Sequence, residues 1–193
     1  MSAPLPPVTL VPVTLVLGGA RSGKSRHAES LVEGQPGPCV YLATAEARDG
    51  EMAARIAAHR ARRGRRWSTL EAPLDLVAAL GSACGPDRAV LVDCLTLWLS
   101  NLMGTDKDVA AECDRLIAAL PALAGPVVFV SNEVGQGVVP DNELARAFVD
   151  RAGRLHQDLA AVADRVVFMN AGLPGDLKTP SQTQARVLKL HGS

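Results

Sequence analysis

Gly18-Gly19-Ala20-Arg21-Ser22-Gly23-Lys24-Ser25 decides how this chain folds, because it follows the β-type run Val13-Thr14-Leu15-Val16-Leu17 and precedes a helical run from Ser25 to Val32. The octapeptide fits the phosphate-loop pattern Gly-x4-Gly-Lys-Ser. That pattern carries meaning only when a strand delivers the chain into the turn and a helix leaves it. The turn's backbone N–H groups then face inward and hold phosphate oxygens. Glycine is required because a Cβ would block both the dihedrals of the turn and the approach of phosphate. In this geometry Lys24 reaches the β- and γ-phosphates, and the Ser25 hydroxyl holds Mg²⁺.

Outward from that loop, short Val/Leu-rich runs alternate with longer Ala/Leu/Arg-rich ones. The predicted strands are Val13–Leu17, Cys39–Ala43, Ala89–Asp93, Val127–Ser131, Arg165–Asn170 and Arg186–Leu190. Their apolar runs are continuous rather than alternating, as strands covered on both faces should be. The predicted helices are Lys24–Glu33, Gly50–Arg63, Leu74–Ala83, Leu95–Met103, Lys107–Leu120 and Asn142–Ala163. Glycine and proline separate them at 34–38, 85–86, 125–126 and 140. Such alternation implies an α/β fold with a mostly parallel central sheet flanked by helices. Gly172–Gln184 is rich in Gly, Pro, Thr and Ser and reads as a loop before a terminal strand or tail. No repeat or linker divides the chain. We expect one domain over 1–193, with 1–12 and 179–193 as peripheral ends.

Composition removes several function classes. Twenty basic residues balance twenty acidic ones, so no global field favours nucleic acid or a membrane. Aromatic residues are 3% of the chain, too few for a base-stacking platform. No apolar run reaches the ~20 residues of a spanning helix. Met1–Pro12 has four prolines and no basic start, unlike a signal peptide. Cys39, Cys84, Cys94 and Cys113 form no Cys-x-x-Cys pair and read as reduced, structural thiols of a cytoplasmic protein.

Beyond the loop, a second group for the cation or its water shell is expected at the end of a hydrophobic strand. Asp93 fits that place after Ala89-Val90-Leu91-Val92, and Glu133 is a second candidate; either could equally be a helix cap or a loop carboxylate. The segment 51–67 carries Arg55, Arg60, Arg62, Arg63, Arg65 and Arg66 with one histidine, His59. On a helix, Met52, Ile56, His59 and Arg63 share one stripe, and Arg55, His59, Arg62 and Arg66 share its neighbour. One reading is a solvated arginine-rich face. The other is a polyphosphate-facing helix whose arginines bind phosphate in bidentate fashion, with a neutral His59 as nucleophile on phosphorus. A third segment, Ser131 to Pro140, is a glycine-bearing β-to-α loop at the ligand-binding end of an α/β sheet.

Three blocks, with their flanks, resemble one family. They are Gly18 through Glu29, Val40-Tyr41-Leu42-Ala43-Thr44 with Glu51-Met52-Ala53-Ala54-Arg55-Ile56 running into His59, and Asn132-Glu133-Val134-Gly135-Gln136-Gly137-Val138-Val139-Pro140 followed by Arg151-Ala152-Gly153-Arg154. From about Val13 to Lys178 the chain resembles the bifunctional adenosylcobinamide kinase/adenosylcobinamide-phosphate guanylyltransferases of vitamin B12 (cobalamin) biosynthesis. The resemblance implies a RecA-like P-loop fold. It implies phosphorylation of adenosylcobinamide by ATP or GTP, then transfer of GMP from GTP to the new phosphate, giving adenosyl-GDP-cobinamide and pyrophosphate. His59 matches the guanylylated histidine, and Gly18, Gly19, Ala20, Arg21, Ser22, Gly23, Lys24 and Ser25 match the nucleotide loop. Thr44, Ala45 and Glu46 match a region contacting GTP, and Arg60, Ala61, Arg62 and Arg63 follow the nucleophile as phosphate holders. Glu71 and Asp93 match acidic positions near the guanosine, with Ser25 and Asp93 as Mg²⁺ holders. The family also implies a homo-oligomer, a trimer among its forms, with no nucleic-acid or membrane partner. One departure is His156-Gln157, where relatives often carry Asn-Gln. The residues alone also accommodate another small-molecule kinase, or a GTP-dependent switch; no Asn-Lys-x-Asp guanine-reading block occurs, which counts against the switch.

Overall fold

The computed structural model describes residues 12–45, 50 and 63–180. Seven strands form one sheet in the order β3-β2-β4-β5-β1-β6-β7. Strand β1 (Val13–Gly18) is the centre of the nucleotide-loop half, flanked by β5 (Val127–Asn132) and β6 (Arg165–Asn170), both parallel to it. All six of its residues are buried, as a strand covered on both faces requires. Strands β2 (Cys39–Ala43) and β4 (Ala89–Asp93) are also parallel, and β4 pairs with β5. Strand β5 therefore lies between the strand that opens the phosphate loop and the strand that ends in Asp93.

Alternate residues of each strand feed two cores. On one face, helix α1 (Lys24–Glu33) packs Ala28, Leu31 and Val32 against Val16, Tyr41, Leu91, Val128 and Val167. The other face is covered by α2 (Leu76–Ala83), α3 (Leu95–Met103), α4 (Val109–Ala119) and α5 (Glu143–Val162), with Trp98 and Phe129 fully buried between them. Helix starts follow cap chemistry. Asp108 Oδ1 accepts from the N–H groups of Ala110 (2.9 Å) and Ala111 (3.2 Å), so α4 begins at Val109 rather than at Lys107. Asn142 Oδ1 likewise accepts from Ala145 N–H (2.8 Å) and opens α5. Helix α4 gives way at Leu120 to a short 3₁₀ turn with Pro121 inside it.

Two strands depart from the sequence reading. Trp67–Glu71 forms β3, a parallel edge strand beside β2. Leu173–Lys178, expected to be loop, forms β7, an antiparallel edge strand on β6. Ala171 (φ 51°) and Gly172 (φ 82°) make the two-residue turn between β6 and β7, with the mirror-type dihedrals that suit hairpin twist. Pro174 and Gly175 are tolerated because the strand is at the edge. Two charges then fix it. Arg165 Nε donates to Asp176 Oδ1 (2.7 Å) across the pair, and Lys178 Nζ donates to the last carbonyls of α5, those of Ala160, Ala161 and Ala163. The expected strand Arg186–Leu190 and nearly all of the expected helix Gly50–Arg63 lie outside the described residues.

The run 63–66 is described, and it corrects the stripe that placed Arg63 and Arg66 on a helix. Both lie in the approach to β3. Arg66 is spent on the backbone: Nε donates to Gly37 O (3.0 Å) and Nη1 to Glu33 O (3.2 Å), with Nη2 on Gln35 O. It satisfies carbonyls left over where α1 ends and turns toward β2. Arg66→Ala should thus cost about 0.5–1.5 kcal/mol of stability, since water can reach the exposed carbonyls it leaves. Thermal melts check this, and nucleotide affinity at 20 °C should change little.

Candidate functional site

Four strand ends and one turn meet at the carboxyl edge of the sheet. The turn is Gly18–Ser25. Gly23 caps α1 with φ 93°, a left-handed conformation, and a Cβ there would sit 3.3 Å from Gly172 Cα. The turn's rear is tied to the β6–β7 hairpin by Gly172 N–H donating to Ser22 O (3.0 Å). Gly23→Ala therefore meets both dihedral strain and a tight backbone neighbour. It should lower stability by about 1–2 kcal/mol and weaken nucleoside triphosphate binding at least tenfold, read by melting curves and by titration with nucleotide.

Lys24, the first residue of α1, is buried, and its Nζ donates to Gly19 O (3.0 Å), spanning the mouth of the turn. Ser22 Oγ is buried with no hydrogen-bond partner among the described residues. Ser25 follows in the first turn of α1, half-buried, where a hydroxyl can face a bound cation. The arrangement offers inward N–H groups, the positive end of a helix and one ammonium, which together form a phosphate receptor.

Beside it, Asp93 ends β4. In the strand register Glu71, Ala43 and Asp93 lie in one row across β3, β2 and β4, so both predicted acidic positions come to the same edge. Tyr41 O–H donates to Asp93 Oδ2 (3.1 Å), and burial foremost, then the Asp93 charge, raises the phenol's pKa, so it stays a donor. Arg63 lies over the Tyr41 ring, its guanidinium carbon 3.4 Å from the centroid, and Trp67 meets the same ring edge-on. Tyr41, Arg63 and Asp93 thus form one cluster that the sequence reading did not join, because Tyr41 reads as an ordinary strand residue.

Thr44 is fully buried. Its Oγ1 donates to Cys94 O (2.8 Å) and accepts from Cys94 N–H (2.8 Å), while Asn101 Nδ2 donates to Thr44 O (2.8 Å). The hydroxyl pins the end of β2 to the end of β4, so it is not the group through which Thr44 would touch a nucleotide. Ala45 follows, half-buried. Glu46, His59, Arg60, Ala61 and Arg62 lie outside the described residues.

The β5 end forms the other wall. Asn132 pairs in register with Gly18, and Glu133 N–H donates to Gly18 O (3.0 Å). Asn132 Nδ2 donates to Thr96 Oγ1 (3.0 Å) at the start of α3. Glu133, the second carboxylate candidate, accepts from Gly135 N–H through Oε1 (2.6 Å) and turns Oε2 toward His156. Among the described residues no group of three or more His, Cys, Asp and Glu gathers as a metal cluster. Ser25 and Asp93 are hard oxygen donors, which suits Mg²⁺ if phosphate oxygens and water complete its shell.

All four cysteines are free thiols. Burial pushes Cys84 and Cys113 up to about 11 and raises Cys39 and Cys94, so none is a ready thiolate. His27 and His156 are both lowered from their ordinary value, mainly by burial. Arg165 adds to the effect at His27 while Asp176 opposes it, and Glu133 opposes it at His156. A lowered histidine binds fewer protons folded than unfolded. Stability should therefore be full above pH about 6.5 and fall as the pH drops through that value toward the folded-state pKa. Calorimetric melts between pH 7.5 and 5.5 check this, and His27→Gln should flatten part of the slope.

No helix among the described residues is long and apolar enough to cross a membrane. Two solved structures share the fold at TM-scores just above one half. One is an ATPase of the type III secretion system of pathogenic bacteria (12% identity, 92% of this chain and 62% of that one, TM-score 0.52); the other is a Pyrococcus horikoshii OT3 protein (9%, 90% and 89%, TM-score 0.51). Closer relatives appear in sequence. A Pseudomonas aeruginosa protein named bifunctional adenosylcobalamin biosynthesis protein CobP is 53% identical over 85% of this chain and 96% of its own length. Proteins of Escherichia coli and Salmonella typhimurium named bifunctional adenosylcobalamin biosynthesis protein CobU are each 42% identical, over 85% of this chain and 98% of their own length. The family model for cobinamide kinase/cobinamide phosphate guanyltransferase matches residues 14–177, close to the span over which the resemblance was read. With a RecA-like sheet, a phosphate turn and that match over most of its length, the chain belongs to the cobinamide kinase/cobinamide phosphate guanyltransferase family.

Proposed function

We propose that the phosphate turn serves both family reactions in sequence: phosphorylation of the hydroxyl of adenosylcobinamide by ATP or GTP, then transfer of GMP from GTP to that phosphate. The observation that carries this is Lys24, buried across the mouth of the turn with Asp93 and Glu71 in one row on the neighbouring strand ends. In the kinase step the acceptor hydroxyl oxygen bonds to the γ-phosphorus and gives its proton to water, the β–γ bridging P–O bond breaks, and the nucleoside diphosphate leaves. Lys24 and the turn's N–H groups hold the charge that builds on the departing oxygens. Ser25 and Asp93 would hold Mg²⁺, which when bound neutralises phosphate charge.

In the guanylyl step the neutral imidazole of His59 bonds to the α-phosphorus of GTP and pyrophosphate leaves. The cobinamide phosphate then attacks the same phosphorus and the N–P bond breaks, returning the imidazole. Dividing one displacement into two gives each nucleophile a good leaving group. Gly18 to Ser25 bind the triphosphate. Arg60, Ala61, Arg62 and Arg63 follow the nucleophile, with the arginines as phosphate holders; Thr44, Ala45, Glu46 and Glu71 border the nucleoside. Arg63, already lodged beside Tyr41 and Asp93, supports that placing. The test is transfer from γ-labelled ATP or GTP to cobinamide, with Ser25→Ala expected to lose at least tenfold in rate and to need more Mg²⁺.

The protein would act as a homo-oligomer in the cytoplasm. Val138, Val139, Leu144, Leu173 and Leu177 are exposed apolar side chains, and the thiols are free. Light scattering reads the oligomer directly.

A further inference from the structure

His156 occupies a place no step above uses. It is buried on the inner face of α5. Its Nε2 lies 2.6 Å from Ser131 Oγ, and its Nδ1 lies 3.9 Å from Glu133 Oε2. The serine hydroxyl can donate to or accept from Nε2, so the pair stays bonded in either tautomer of the neutral ring. Serine, histidine and glutamate in this order resemble a nucleophile, its base and an orienting acid. The resemblance ends at access: Ser131 is fully buried inside β5, with no face toward a substrate.

The three residues that His156 underlies are each fixed to a different neighbour. Ser131 is held by His156 itself, Asn132 by Thr96 on α3, and Glu133 by Gly18 O through its N–H. Glu133 also ties the next turn, since its Oε1 accepts from Gly135 N–H. Beyond that turn, residues 135–139 are exposed, Val138 at 94%. This loop starts one hydrogen bond from the first residue of the phosphate turn, yet few contacts of its own hold it.

We propose that His156 is a positioning residue for phosphoryl transfer, fixing Ser131-Asn132-Glu133 and, through the Glu133 carboxylate, seating the loop 134–140 beside the first residue of the phosphate turn. It touches no substrate. It sets where the loop stands while the acceptor approaches, and a displacement of about 1 Å at such a wall costs up to about a hundredfold in rate.

The inference rests on the family's kinase activity, so the test carries one readout with turnover and one without it. The full chain is compared with His156→Leu, which fills the space without polar atoms, and with His156→Gln, whose amide reaches the Nε2 position. Hydrogen exchange is read at residues 133–140, and kcat and KM for nucleotide are read with cobinamide as acceptor. We expect the leucine variant to exchange at least tenfold faster in that segment. Its kcat should fall tenfold or more with nucleotide KM within about threefold, and the glutamine variant should recover most of both. Ser131→Ala, which removes one atom, should reproduce the leucine result and carries the test should that variant not fold. Unchanged exchange, unchanged kcat, or a loss that glutamine does not recover overturns the proposal. A wild-type chain that transfers nothing to cobinamide would instead strike at the kinase reading, and the exchange result would still stand or fall alone.

Discussion

Lys24→Ala should lose both reactions, each by about 10²–10³-fold in kcat. Lys24 opens α1 and buries its stem, with Nζ held on Gly19 O across the turn. A triphosphate entering the turn offers anionic oxygens at the same mouth. The ammonium exchanges a carbonyl for phosphate, and its charge grows in value as the phosphorus–oxygen bond to the leaving group lengthens. Both reactions break a bond inside one triphosphate, so one cation serves both. Folding should survive, because the hydrogen bond from Nζ to Gly19 O contributes about 1 kcal/mol. Steady-state assays of each reaction with melts of the variant check this. A variant that keeps guanylyl transfer while losing the kinase would place the two triphosphates in different sites.

His59→Ala should divide the activities instead. Guanylyl transfer should fall by more than about a thousandfold, since a covalent route loses its nucleophile outright. The kinase, whose acceptor is the substrate's own hydroxyl, should stay within about threefold of wild type. The segment bearing His59 leaves the described chain after Ala45, at the end of β2, and returns at Arg63, which lies on Tyr41 beside Asp93. Equal loss of both reactions would make His59 a structural residue.

The buried strands were legible because each is a continuous apolar run bounded by Gly or Pro, and β2, β4 and β6 match to the residue. The edge strands were not. Strand β3 is mostly exposed and follows an arginine run, so no apolar period marks it. Strand β7 carries Pro174 and Gly175, and what makes it a strand is tertiary: the Arg165–Asp176 pair and Lys178 on the end of α5. At the site, Lys24, Ser25 and Asp93 were legible from motif and strand end. The Tyr41–Arg63–Asp93 cluster and the Ser131–His156 pair were not, since the partners lie 20 to 60 residues apart and no local spacing announces them. Arg66 misled because a helical stripe was extended past the last residue able to belong to it. Thr44 was found for one reason and is held for another, its hydroxyl closing β2 onto β4.

The claim on which the rest turns is a guanylylated histidine. Incubation of the wild-type chain with α-labelled GTP and Mg²⁺, followed by denaturing electrophoresis, should leave label on the protein that is stable to base and released by acid, and the His59→Ala variant should carry none. Label retained by that variant, or wild-type protein left unlabelled while it still forms adenosyl-GDP-cobinamide, would contradict it.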